Sequence, residues 1–152
     1  DLLKIVVVNR YHPAPIAKAF VQGFGFTKGA IASSVAHDSH NIVAAGVDDE
    51  SIAAAINLVI QSRGGVSCVK DRDHLNGMII ALPIGGLMSA ENGYRVAERY
   101  TAIDQMAKNL GSQLSAPFMT LSFMALLVIP HIKLSNRGLF NGDDFTFLTT
   151  AS

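Results

Sequence analysis

The sequence predicts an α/β protein of the α+β type: a mixed β-sheet with helices packed on it, in a single domain over residues 1–152. Three observations carry this reading. Short β-branched apolar runs alternate with longer segments of helical periodicity, so strands and helices are interleaved. Two strand-like runs, GAIASSVA and NIVAAGV, are separated only by a tight polar link, which signals a hairpin. No repeat, low-complexity segment or linker divides the 152 residues, a length sufficient for one real core.

The elements follow in order. KIVVVNRY (Lys4 to Tyr11) is β-branched and nearly continuously apolar, a buried strand ended by His12 and Pro13. Pro15 stands where a helix can start, and Ile16, Phe20 and Phe24 follow at helical spacing. This predicts a short amphipathic helix stopped by Gly23–Gly25. The hairpin comes next. DDESIAAAINLVIQSRGG is the clearest helix, with Asp48 as cap, Asp49 and Glu50 at its positive end and Arg63 at its negative end. Ile52, Ile56, Val59 and Ile60 form its expected buried stripe, and Gly64–Gly65 ends it.

GVSCVKDRDHLNGMIIALPI reads as two strands around a link bearing the turn signal Asn76–Gly77. ENGYRVAERYTAIDQMAKNLG is a long helix with Val96, Tyr100, Ile103, Ala107 and Leu110 on one face. Glu91–Arg95 and Asp104–Lys108 are its expected i,i+4 pairs. APFMTLSFMALLVIP is apolar all round and is read as a buried helix from near Pro117 to before Pro130. The tail GDDFTFLTT alternates as a final strand does.

Composition bounds the function. Hydrophobic residues make up 49% and charged residues 16%, against about 25% in ordinary soluble domains, which implies surface covered by other protein. Lys+Arg 12 balances Asp+Glu 12, so there is no electrostatic case for nucleic acid or an anionic membrane. The apolar run Pro117 to Ile129 falls short of the roughly 17–25 residues of a membrane span. One cysteine, Cys68, forms no internal disulfide and fits a reducing, cytoplasmic compartment. It also excludes a Cys-rich zinc site and the H-x-E…P-C-x-x-C signature. The chain starts at Asp1 and enters a strand-like run almost at once, which reads as the downstream part of something longer.

The densest polar cluster is HDSHN: His37, Asp38, Ser39, His40 and Asn41. Turns favour Asp, Ser and Asn because their side chains bond to the local backbone. That explains Asp38, Ser39 and Asn41 but not the two histidines, the usual side chain for metal ligation and proton transfer near neutral pH. A polar turn and a piece of an active site both stay open. His12, His74 and His131 are remote and read as surface or loop histidines. No H-x-H or H-E-x-x-H appears, so no metal ligand set is assigned to this chain. Asn9 and Arg10 close the first strand, where they meet a ligand or an ion pair. Gly85–Gly86 lets backbone approach closely or simply forms a turn. Phe118, Met119, Phe123 and Met124 read as core or interface packing.

KGAIASSVAHDSHNIVAAGVDDE, then LPIGGLMS, then APFMTLSFMALLVIPHIKLSNRGLF resemble, in that order, the C-terminal domain of bacterial and archaeal adenine deaminases of the amidohydrolase superfamily. The resemblance runs from about Lys4 to Phe147. It implies hydrolysis of the amidine C–N bond of adenine to give hypoxanthine and ammonia, a step of purine salvage. A divalent metal, manganese or iron, activates water for attack at C6. It implies that the metal ligands lie on a (β/α)8 barrel, expected upstream and absent from this chain, and that the domain packs on that barrel and on other subunits of a homo-oligomer. His37 and Asp38 then become candidates for holding the purine or ordering the metal-bound water, with Ser39, His40 and Asn41 supporting the loop. The readings carried forward are a domain completing a deaminase site, a non-catalytic packing and oligomerisation module, and a stand-alone purine-binding domain.

Overall fold

The computed structural model describes residues 1–148. Its first six strands are β1 (Leu3–Val8), β2 (Ala17–Val21), β3 (Ala30–Ser33), β4 (Ile42–Gly46), β5 (Gly65–Val69) and β6 (Gly77–Ala81). They form one sheet in the order β2-β1-β4-β3-β5-β6, and each pairing is antiparallel. Helices α1 (Asp49–Gln61), α2 (Gly93–Asn109) and α3 (Pro117–Phe123) cover it. The α+β class and the helix-covered sheet are as the sequence predicts.

Side-chain alternation along the strands builds two cores. Val6, Ala30, Ala32, Ile42 and Ala44 face α1, where they meet Ile52, Ala55, Ile56 and Val59. The small alanines let helix and sheet approach closely, and the buried Ser67 hydroxyl donates to the Ala55 carbonyl at 2.7 Å across the gap. On the other face Ile5, Val7, Ile31, Val43 and Cys68 join Ile103 of α2, Leu110 at its C-cap, and Phe118 and Leu121 of α3. Fully burying each such aliphatic side chain contributes about 1.5–3 kcal/mol. Both faces of β3, β4 and β5 are therefore buried, which is why these runs are apolar throughout.

Several expectations need correction. Ile16 to Phe24 contains no helix: Ala17–Val21 is strand β2, with Lys4 opposite Phe20 in register with β1. The prolines keep the preceding chain extended, and the edge of β1 supplies a complete ladder that a short isolated helix lacks. Phe20 consequently points outward, 70% exposed, while Phe24 enters the core. Strand β1 stops at Val8 rather than Tyr11, because Asn9 Oδ1 accepts the N–H groups of Tyr11 and His12 at 2.9 and 3.2 Å and turns the chain. Asp48 caps α1 as expected, but Ile60 lies off its buried stripe at 52% exposure. Helix α2 is capped by Asn92; Lys108 pairs with Asp104 at 2.6 Å, whereas Glu91 reaches Arg99 rather than Arg95. Ile103, Ala107 and Leu110 are sealed, but Val96 is half-buried and Tyr100 is partly exposed.

Helix α3 ends at Phe123, well before Pro130. Tight turns follow at Met124 and Leu126, and the Met124 carbonyl is taken by the Leu134 N–H of a strand at 3.0 Å. That strand, β7 (Ile132–Ser135), and β8 (Gly138–Asn141) form a hairpin the sequence reading missed. It carries β9, confined to Thr146–Phe147; Thr149 and Thr150 of the expected final strand lie outside the described residues. The two strands around a polar link are as expected, but there is no Asn76–Gly77 turn: the link covers residues 70–76 and closes with a 3₁₀ turn at His74–Asn76, and Gly77 already lies in β6 opposite Val69.

Candidate functional site

The predicted β3–β4 hairpin places HDSH at one end of the central strands, between Ser33 and Ile42. His37 to Ser39 form a turn, and His40 sits at φ +53°, left-handed backbone that costs a non-glycine residue roughly 1–2 kcal/mol. Surrounding contacts hold it there. The His40 N–H donates to the Ala36 carbonyl at 2.7 Å. The Arg10 Nε–H donates to the His40 carbonyl at 2.5 Å, and the Tyr11 hydroxyl donates to the Ser39 carbonyl at 2.6 Å. Buried Asn41 donates to Ser39 Oγ at 3.2 Å and accepts from the Arg10 backbone N–H at 3.4 Å.

Arg10 joins two loops. Its Nη2 donates to the Gly85 carbonyl at 2.6 Å, and its guanidinium lies 4.9 Å over the Tyr11 ring. Gly86, at φ +77°, makes room for it: a Cβ there would stand 2.7 Å from Arg10 Cζ. Ser34 ties the same loop from inside, donating to the Gly86 carbonyl at 2.6 Å while its oxygen accepts the Gly65 N–H at 2.8 Å. HDSH and LPIGG are thus one fastened unit.

The loop side chains diverge. Asp38 and Ser39 are exposed, whereas His37 and His40 are half-buried, their rings 5.6 Å apart and edge-on. His37 also packs on Phe123 of α3, centroids 5.7 Å apart. His40 Nδ1 is buried and, among the described residues, has no hydrogen-bond partner. Burial holds the His40 imidazole below its ordinary value of 6.5; His37 and Arg10 push the same way, and Asp38 opposes them. His40 is therefore neutral at pH 7 and suited to supporting the loop as an uncharged group.

Behind His37 lies a cavity of about 270 Å³ between the sheet and the two helices, walled by Val66, Ile80, Leu82, Tyr100, Phe118 and Met119. The surface nearby carries exposed Met119 and Phe123, and the LPIGGLMS loop exposes Ile84, Leu87 and Met88.

The remaining sequence candidates do not join this cluster. His12 lies on an exposed loop, and His131 pairs with Asp143 at 2.6 Å. Among the described residues no three His, Cys, Asp or Glu side chains gather to hold a metal ion, so the donor set here does not fit one. No helix among them is long and apolar enough to cross a membrane. Sequence reasoning underrated Arg10, read Phe123 only as core or interface packing, and missed Tyr11 and Ser34. The one available signal was an arginine and an asparagine closing a buried strand.

The fold and this loop define a class: an α+β domain that offers imidazole, carboxylate and an apolar cavity at one end of its sheet. Comparison with known proteins makes the class specific. The model of the adenine deaminase C-terminal domain matches residues 1–146, and the chain belongs to that family. It is 56% identical over 149 residues to an adenine deaminase of Sulfurovum sp. (strain NBC37-1), covering 97% of this chain and 27% of that protein. It is 52% identical over 150 residues to one of Salinibacter ruber, with the same coverage. It is 48% identical over 148 residues to one of Methanosarcina barkeri, covering 97% of this chain and 26% of that protein. The chain thus spans about a quarter of the length of these relatives.

Proposed function

We propose that this chain is the C-terminal domain of a metal-dependent adenine deaminase, a cytoplasmic enzyme that hydrolyses adenine to hypoxanthine and ammonia in purine salvage. In this reading the catalytic (β/α)8 barrel precedes the domain and carries the divalent metal, manganese or iron; no step is assigned to the metal through residues of this chain. The domain closes over the barrel and completes its site. His37 holds the purine edge by a hydrogen bond from its imidazole. Asp38 accepts a hydrogen bond from the exocyclic amine or from the attacking water. Ser39, His40 and Asn41 keep the loop in shape.

The single observation that carries this reading is the construction of the HDSH loop. Arg10, Tyr11 and Asn41 all act to hold it in a strained conformation with His37 turned inward and Asp38 outward. An ordinary solvent turn needs no such fastening. A packing and oligomerisation role is the second reading, favoured by the exposed apolar side chains Ile84, Leu87, Met88, Met119 and Phe123.

The test is adenine turnover by the parent protein, wild type against His37→Ala and Asp38→Asn, with metal content and melting temperature followed in parallel. A fall in kcat/KM of about a hundredfold, roughly 2.7 kcal/mol of transition-state stabilisation, with folding and metal unchanged is the expected result. Full activity in both variants refutes the catalytic role and leaves the packing role. This chain by itself is expected to turn over no adenine.

A further inference from the structure

A second cavity, of about 410 Å³, opens on the α1 side of the sheet, between the ends of β1 and α1. That volume is within the range of small-molecule sites. Its floor is apolar. Ile42 and Val59 belong to the core under α1, and Ile60 joins them with 52% of its surface exposed. The polar side chains of the lining are donors with capacity left over. Asn9 spends its Oδ1 on the Tyr11 and His12 N–H groups, which leaves its amide NH₂. Arg10 spends Nε and Nη2 on the His40 and Gly85 carbonyls, which leaves Nη1. Arg63 is exposed on left-handed backbone at φ +57°. The lining contains no Asp or Glu, and among the described residues neither guanidinium pairs with a carboxylate. The C-terminal end of α1 opposes an anion here with about half a unit of negative charge, against two whole positive ones. Its Leu58, Val59 and Ile60 carbonyls are moreover already taken by the N–H groups of Ser62, Gly64 and Arg63 at 3.2, 2.9 and 2.9 Å.

We propose that this cavity binds a small organic phosphate monoester, its phosphate on Arg63, Arg10 Nη1 and the Asn9 amide and its apolar body on Ile42, Val59 and Ile60. Charge selects the head group: a phosphate monoester carries about −1.5 to −2 near pH 7 and so balances two guanidiniums, which a single carboxylate does not. The planar fork of Arg63 suits two phosphate oxygens, which leaves the third for Arg10 and Asn9. The floor selects the rest of the molecule, because a bare phosphate leaves it uncovered. Binding also reaches the HDSH loop, since the same Arg10 guanidinium holds the His40 and Gly85 carbonyls. An occupant that fixes Nη1 stiffens the loop that carries His37 and Asp38. An effect on catalysis through that loop rests on the deaminase reading above; the binding itself does not.

The experiment titrates the parent protein with phenyl phosphate by calorimetry, in a phosphate-free buffer at fixed ionic strength because salt screens exposed charges. A Kd below about 1 mM is expected, with inorganic phosphate, benzoate and benzyl alcohol each at least about fivefold weaker. Arg63→Asn removes the charge with a residue that tolerates left-handed backbone, and should weaken phenyl phosphate at least about tenfold. Ile60→Asp, at an exposed position, sets a carboxylate against the phosphate and should abolish binding. Both variants are checked for an unchanged cooperative melting transition. Hydrogen exchange at the His40 amide should slow on saturation with phenyl phosphate. No binding up to about 10 mM, equal binding of inorganic phosphate (an adventitious ion only), or indifference to both substitutions overturns the proposal. The first of these is also the result if an acidic side chain from elsewhere in the parent protein fills the cavity. Binding with unchanged exchange at His40 overturns the link to the loop. Adenine turnover is measured separately. Turnover without phenyl phosphate binding overturns this site and leaves the deaminase reading standing; binding without turnover supports the site and removes that reading.

Discussion

Replacing Arg10 by Met keeps most of the side chain's apolar stem and removes the guanidinium that fastens HDSH to LPIGG. Two hydrogen bonds go with it, to the His40 carbonyl at 2.5 Å and the Gly85 carbonyl at 2.6 Å. The first is partly buried, and a charge-assisted bond of that kind is worth about 1.5–3 kcal/mol; the second is exposed and contributes about 1 kcal/mol. Freed from its anchor, His40 can leave the left-handed region it occupies at φ +53°, which returns about 1 kcal/mol. The net loss is about 1.5–3 kcal/mol, a large fraction of an ordinary domain's stability. Urea denaturation measures it as a lower midpoint at unchanged slope. Amide exchange should speed up selectively at the His40 N–H, which bonds the Ala36 carbonyl at 2.7 Å. A loss under about 0.5 kcal/mol, with the His40 amide as protected as in the wild type, would refute the idea that Arg10 shapes this loop.

Other outcomes follow from the same physics. Asp48→Ala removes the side-chain cap that accepts the Ser51 N–H at 2.7 Å, and should cost about 1 kcal/mol in the same denaturation assay. Cys68 is fully buried and its thiol is pushed up to about 12, so a thiol reagent at pH 8 should label it only at the rate at which the chain opens. His40 is held below 6.5, so the unfolded chain binds its proton first. Its contribution to stability is complete above pH 6.5 and is lost as pH falls from there through the lowered folded value. His40→Asn, which tolerates the left-handed backbone, should flatten that part of the stability–pH curve, as read by melting temperature between pH 7 and pH 5.

The sequence by itself determined the elements whose chemistry is local. Helix α1 was legible because Asp48 and the acidic first turn act within a few residues, although its end falls at Ser62 and the left-handed Arg63 rather than at Gly64–Gly65. The β3–β4 hairpin was legible because two short apolar runs flank one polar link. HDSH stood out because residue type alone marks it, and the family likeness rests on blocks of contiguous residues. What only the tertiary structure decided depends on groups far apart in the chain. Ile16 and Phe20 have helical spacing, yet β1 offered their segment a ladder and the ladder prevailed. The apolar run after Pro117 left its helix at Phe123 because the β7 strand takes up the Met124 carbonyl. Arg10 gained its role from carbonyls 30 and 75 residues away. The direction of each HDSH side chain, inward for His37 and outward for Asp38, was likewise set by those long-range bonds, because a turn's residue types fix its polarity but only its neighbours fix its shape.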